Sequence, residues 1–308
     1  MIHALHSLLE PRLARFGLSA AELLARDAPQ GLDQPGLISA NRHCRLLACA
    51  DGWAALNLAR ADDRDLIPAL TGAAGDPWAS AAQFAAQCSA EELRNRAAEL
   101  QLPVALPGEA APLPLAGPHG SQVPRLVVDL SALWAGPLCG ALLARAGAEV
   151  VRIDSAGRPD PTAQGSPRLH ALLNHGKRTV RLDLREPQGR AALYPLLDEA
   201  DALITSARPA ALARLGLDPA RFPQLRWAAI TAHGFTGAGA QRVGFGDDCA
   251  VAGGLIAWQG GEPRFVGDAL ADPLTGLEAA LAMLDRVEPG LIDLPMARIA
   301  AAYAAQLA

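Results

Sequence analysis

Lysine is almost absent from this 308-residue chain: Lys177 stands alone, and the other basic residues are arginines. Net charge is −5, so bulk electrostatics give no support for a nucleic-acid partner. The five cysteines, Cys44, Cys49, Cys88, Cys139 and Cys249, form no CxxC pair and no Cys/His group with zinc spacing. An odd, scattered set of this kind reads as reduced thiols packed as small apolar groups, and no metal site is expected. No run of about 18 apolar residues occurs. The N-terminus lacks a basic n-region and carries Glu10 and Pro11 where a signal peptide is apolar. The expectation is a cytoplasmic protein with no membrane span. GxGxxG, GxxxxGK[ST] and GxSxG are all missing, which argues against a dinucleotide dehydrogenase, a P-loop enzyme and an α/β-hydrolase. The seven histidines are dispersed, and each alone reads as structural or exposed.

Hydrophobic residues make up 51% and charged residues 19%, the balance of a globular chain with a sizeable core. The most informative stretch is 124–154, PRLVVDLSALWAGPLCGALLARAGAEVVRID. Its apolar run over 125–130 fits a strand buried on both faces. A helix over 135–146, stopped by Gly147, leads to a second strand over 148–153, which makes a β-α-β unit. Further strands are expected over 179–184, 202–205, 226–232 and 290–294. Helices are expected over 188–199, 272–286 and 296–306. Strands alternating with helices argue for an α/β fold: a Rossmann-like parallel-sheet core. Ahead of it, 1–36 reads as a helical segment with a capping box at Ser19–Glu22. Residues 37–105 read as a smaller α+β domain, with a hairpin (44–49 and 53–59) around Ala50-Asp51-Gly52 and helices over 63–70, 76–87 and 89–100. A Pro/Gly-rich linker occupies 106–124, including Pro118, and the core runs 125–308.

Several motifs in order resemble those of class III CoA-transferases, the carnitine-dehydratase/bile-acid-inducible family that includes formyl-CoA transferase and α-methylacyl-CoA racemase. The run VVDLSALWAGPLCGALLARAGAEVVRID is similar to the family's opening motif. Asn174-His175-Gly176-Lys177-Arg178 with Leu182-Asp183-Leu184 resembles N-x-x-K-R…LDL, and Ala207-Arg208-Pro209-Ala210 with Leu215-Gly216-Leu217 resembles N-F-R-P-G…LG. Residues 230–235 resemble S-x-x-G-F/Y, and GDALADPLTG over 267–276 resembles the segment that carries the nucleophilic aspartate.

The resemblance implies a catalytic role for Asp272, acyl-CoA and a carboxylic acid acceptor as substrates, a homodimer and no metal. It implies a mixed anhydride on Asp272, then an aspartyl-CoA thioester that an acceptor acid resolves. Contacts to CoA are implied for Trp134, Ala135, Lys177, Ser206, Ala207, Arg208 and Arg214, with Lys177 on phosphate. On its residues alone, Asp272-Pro273 reads as an N-cap with proline at N1, where the helix dipole keeps the carboxylate ionised. Gly234–Gly239 and Gly253-Gly254 are candidate oxyanion donors. The small domain precedes the core here, whereas in the family it follows the core's first part, so the order reads as a circular permutation. Ser206-Ala207 replaces Asn-Phe, and Phe245 stands where the racemases carry histidine, which disfavours racemisation. A catalytically weak CoA-thioester-binding protein or partner subunit is the alternative.

Overall fold

A computed structural model of the chain describes residues 1–117 and 120–307. Among the described residues eleven strands are formed: β1 (Cys44–Ala48), β2 (Trp53–Asn57), β3 (Val104–Ala105), β4 (Leu126–Leu130), β5 (Glu149–Ser155), β6 (Arg178–Leu182), β7 (Ala202–Thr205), β8 (Arg226–Thr231), β9 (Ile256–Gln259), β10 (Glu262–Phe265) and β11 (Gly290–Pro295). Six of them make one parallel sheet in the order β11-β8-β7-β4-β5-β6. Numbered within the sheet by appearance, this is 3-2-1-4-5-6 from the β6 edge, the doubly wound order. Its topological switch point lies between β4 and β7, so a crevice is expected beyond Leu130 and Thr205.

The alternation of side chains explains why the central strands read as unbroken apolar runs. Val127, Val150, Ala202, Ile204, Ala228 and Ile230 face one core, shared with the helices Ala135–Arg145, Ala271–Asp285 and Met296–Leu307. Leu126, Val128, Val151, Leu203 and Trp227 face a second core under the helix Pro187–Glu199. Both faces are covered, which is the condition for an all-parallel sheet.

β1, β2 and β3 form a small antiparallel sheet whose own core includes Leu56, Leu58, Ile67, Leu70 and Leu93. The expected helix over 63–70 is two short ones, Ala61–Asp65 and Ile67–Thr71. The hairpin β9–β10, the helix Gly246–Ala252 and β3 itself were not among the expected elements. The segment expected to be a linker, 106–124, lies against the core at its described residues. Gly108 and Ala110 donate to the carbonyls of Val251 and Ala252, and the Ala116 N–H donates to Glu278 at 3.0 Å. Two of the expected linker residues, Pro118 and His119, lie outside the described residues. The N-terminal helix Ile2–Leu13 packs on the C-terminal helix, and Arg12 reaches Glu278. No helix among the described residues is long and apolar enough to cross a membrane.

Candidate functional site

Two loops meet at the switch point, where the doubly wound order places its crevice. After β4 the chain turns through Ser131, Ala132 and Leu133, whose φ of 70° is left-handed, and enters the helix Ala135–Arg145 at Trp134. After β7 comes Ser206, whose Oγ accepts from the Ala132 N–H at 3.0 Å. This bond ties the two loops together. Trp134, Ala135, Ser206, Ala207 and Arg208 therefore all lie where a doubly wound sheet takes its ligand. Trp134 and Ala135 are buried, and the Trp134 indole N–H finds no partner among the described residues.

Arg208 extends this crevice electrostatically. Its guanidinium donates to the Gln101 side chain. Arg60, from the small antiparallel unit, donates to the Gln101 carbonyl at 3.1 Å. Burial pulls the Arg208 pKa down, and the positive charges of Arg60, Arg214 and Arg158 add to that. Four cations converging on one rim are short of counter-charge, with Asp63 the acid paired to Arg60. Such a rim suits an anionic ligand. Nothing in the local sequence around Arg60 marks it for this role; folding brings it there.

Lys177 is elsewhere. Its side chain has no exposure, and Nζ donates to Asp129 Oδ2 and to the Pro137 carbonyl, both at 2.8 Å. Asp129 also accepts from the Ser131 N–H and hydroxyl. The ammonium thus locks β4 to the following helix from inside the protein. In this fold it is not offered to a phosphate, contrary to what the motif implies.

Asp272 lies at the start of the helix Ala271–Asp285, which packs along the helix Ala135–Arg145. A Cβ on Gly276 would come within 2.7 Å of the Ala135 carbonyl oxygen, so glycine is what lets the two helices approach. Asp272 is not the N-cap. Leu270 holds that position, and Asp272 is the second helical residue. It is directed by the preceding turn: Ala269 adopts φ 46°, its carbonyl accepts from the Asp272 N–H at 2.9 Å, and its N–H donates to Asp247 Oδ1 at 2.8 Å. A left-handed alanine costs about 1–2 kcal/mol, and strain of this kind concentrates at functional sites.

The charge state of Asp272 also departs from expectation. Burial pushes its carboxyl up to about 7. Arg26 opposes this, Asp247 and Asp268 add to it, and the Gly246 N–H opposes it. Desolvation outweighs the helix dipole here. Gly246 is required by space, because a Cβ there would collide with Asp272 Oδ2 and the Ala269 carbonyl. Asp247 is raised to about 6, by burial first and then by Asp268. Asn41 Nδ2 bridges Asp247 Oδ2 at 2.6 Å and Asp268 Oδ1 at 2.8 Å. Chain order hides this cluster, since Asn41 and Arg26 lie more than two hundred residues from the carboxyls they meet.

The other candidates resolve differently. The amides of Gly253 and Gly254 donate to Cys249 and Val251 carbonyls at the end of the helix Gly246–Ala252, and the Gly234 N–H donates to Thr231 Oγ1. These three are occupied and offer nothing to an oxyanion. His233, Asp248 and Cys249 place ligand atoms within 4.8 Å of one another, a grouping the sequence spacing did not show. Asp248 already accepts from Asn57 Nδ2 at 2.9 Å and from the Phe245 N–H at 3.0 Å. Burial pushes its carboxyl up to about 8 and raises the Cys249 thiol strongly. All five cysteines are free thiols.

Comparison with known proteins agrees with this frame. CoA-transferase family III matches residues 125–288, more than half of the chain. The chain is 31% identical over 182 residues to the succinyl-CoA–D-citramalate CoA-transferase of Chloroflexus aurantiacus, covering 53% of this chain and 45% of that protein. A solved hypothetical protein from Mycobacterium tuberculosis superposes with a TM-score of 0.55 at 27% identity, over 61% of this chain and 58% of that one. A CAIB/BAIF family protein from Brucella suis gives 0.52 at 29% identity, over 59% and 55%. The chain spans about half the length of the curated relatives it matches.

Proposed function

Since the chain belongs to CoA-transferase family III, we propose that it moves CoA from an acyl-CoA thioester to a carboxylic acid, with Asp272 as the nucleophile. The observation that carries this reading is a carboxyl at the first turn of the helix Ala271–Asp285, beside the switch-point helix, in surroundings that shift its pKa to about 7. Desolvated carboxylates are the stronger nucleophiles once ionised.

The Asp272 carboxylate adds to the thioester carbonyl, the C–S bond breaks, and CoA thiolate leaves a mixed anhydride. The thiolate attacks the aspartyl carbonyl, which releases the donor acid and leaves an aspartyl-CoA thioester. An acceptor carboxylate then reverses the two steps, and Asp272 is regenerated as carboxylate. In this reading Arg208, Arg214, Arg158 and Arg60 hold the phosphates of CoA. Trp134, Ala135, Ser206 and Ala207 shape the channel for its chain. Lys177 supports the channel from beneath.

The reading also takes 1–36, 37–105, 106–124 and 125–308 as the structural segments of a circularly permuted member that acts as a homodimer. The small antiparallel unit precedes the parallel core in the chain, and this order supports the permuted reading.

Trapping tests the nucleophile. The protein is incubated with succinyl-CoA, quenched with hydroxylamine and digested for mass spectrometry. A hydroxamate at Asp272, absent from Asp272→Ala, is the expected result. Label exchange by Asp272→Ala at the wild-type rate would overturn the assignment. CoA-ester binding without any trapped adduct would favour a binding protein over a transferase.

A further inference from the structure

Arg26 comes before every strand in the chain, yet it reaches the turn that carries Asp272. Its Nε donates to Asp268 Oδ2 at 2.6 Å and its Nη2 donates to Oδ1. Such a bidentate pair fixes the plane of the guanidinium. Two further contacts fix its place. The guanidinium carbon lies 5.5 Å from the centre of the Trp134 ring. The next residue, Asp27, accepts from the N–H groups of Arg168 and Leu169 at 3.2 and 2.8 Å, at the start of the helix Pro167–Asn174. The N-terminal segment is thereby pinned to the core at two consecutive residues, Arg26 and Asp27.

The charged groups that face Asp272 come from three places. Asp247 belongs to the helix Gly246–Ala252, Asp268 to the preceding turn, and Arg26 to the N-terminal segment; the Gly246 amide is also close. The Cys249 thiol lies within electrostatic reach and is held neutral by burial. The cluster therefore holds three carboxyls and one cation. Three carboxyls in a partly desolvated site cannot all ionise near neutrality without a nearby positive charge.

We propose that Arg26 is a positioning residue that sets the charge on Asp272, by clamping Asp268 and placing a fixed positive charge beside the nucleophile. Its value for catalysis rests on the transferase reading. The electrostatic statement does not, because Asp272 titrates whether or not it is attacked.

The test uses the full chain with carboxyl-13C aspartate, followed by NMR against pH, with the Asp272 signal assigned by its loss in Asp272→Asn. Arg26→Gln is expected to raise the Asp272 midpoint by about one pH unit, and Arg26→Lys to restore most of it. Asp268→Asn removes a like charge and is expected to lower the midpoint. The acid limb of the CoA-transfer pH–rate profile should move in step. An unchanged midpoint in Arg26→Gln overturns the proposal. So do shifts of the same sign in Arg26→Gln and Asp268→Asn, which indicate general damage to the site. If Arg26→Gln does not fold, Asp268→Asn decides: an unchanged or raised midpoint overturns the proposal. Midpoints that move as expected, with no adduct trapped on Asp272, would sink the transferase reading and leave this one standing.

Discussion

Lys177 with Asp129 and Arg26 with Asp268 are both cations held against carboxylates inside the protein, and they do opposite things. The first pair is closed: 0% and 1% side-chain exposure, one charge against one, with Ser131 donating to the second Asp129 oxygen and the Pro137 carbonyl accepting from the ammonium. The second is open and unbalanced, with 19% and 8% exposure and two further carboxyls, Asp247 and Asp272, in the same field. A matched, sealed pair holds two elements together. An unmatched one leaves a carboxyl that titrates near neutrality, which is what a nucleophile or proton carrier needs. The difference separates a lysine that the motif assigns to ligand from an arginine that no motif assigns at all.

Removing one partner of the closed pair should have the largest effect on stability. Lys177→Met strands the Asp129 carboxylate, and a loss of about 3–5 kcal/mol is expected in chemical denaturation. Adding Asp129→Leu should recover most of it, because an apolar pair in that position has no charge to bury. If Lys177→Met keeps its stability and only weakens CoA binding, Lys177 is a ligand contact and the contrast with Arg26 fails.

Gly246→Ala attacks the open cluster by sterics. The added methyl meets Asp272 and the Ala269 carbonyl, so a loss of about 1–3 kcal/mol is expected, together with a shifted Asp272 titration. An unaltered titration in a stable Gly246→Ala protein would show that the approach of Gly246 to Asp272 is not needed.

The smallest effect concerns Asp248, whose raised carboxyl gives a stability slope of unusual sign. Folded Asp248 holds its proton to about pH 8, while the unfolded chain releases it near 4. The folded state therefore binds more protons in between, and stability falls as pH rises through that window. Asp248→Asn should flatten the fall between pH 6 and pH 8 by on the order of 1 kcal/mol, measured as denaturation midpoints. Parallel curves for the variant and the wild type would mean that Asp248 is ionised in the fold.

By itself the sequence determined the parallel core. The runs Leu126–Leu130, Ala202–Thr205 and Arg226–Thr231 are too apolar for any strand with a wet face. The caps at Ser19, Asp76 and Ser89 accept from backbone N–H groups three residues on, a local geometry that chain order fixes. Local patterns carry information over a turn of helix or the width of a strand, and these features are of that size. Asp272 is singled out by the resemblance of the segment 267–276, not by a local pattern, which reads it as an N-cap. The tertiary structure alone decided what each charge is for. Burial turned Lys177 inward, raised Asp272 to about 7 and set Arg26 and Asn41 against carboxylates more than two hundred residues away. Desolvation and Coulomb attraction act through space, and no periodicity along the chain records them.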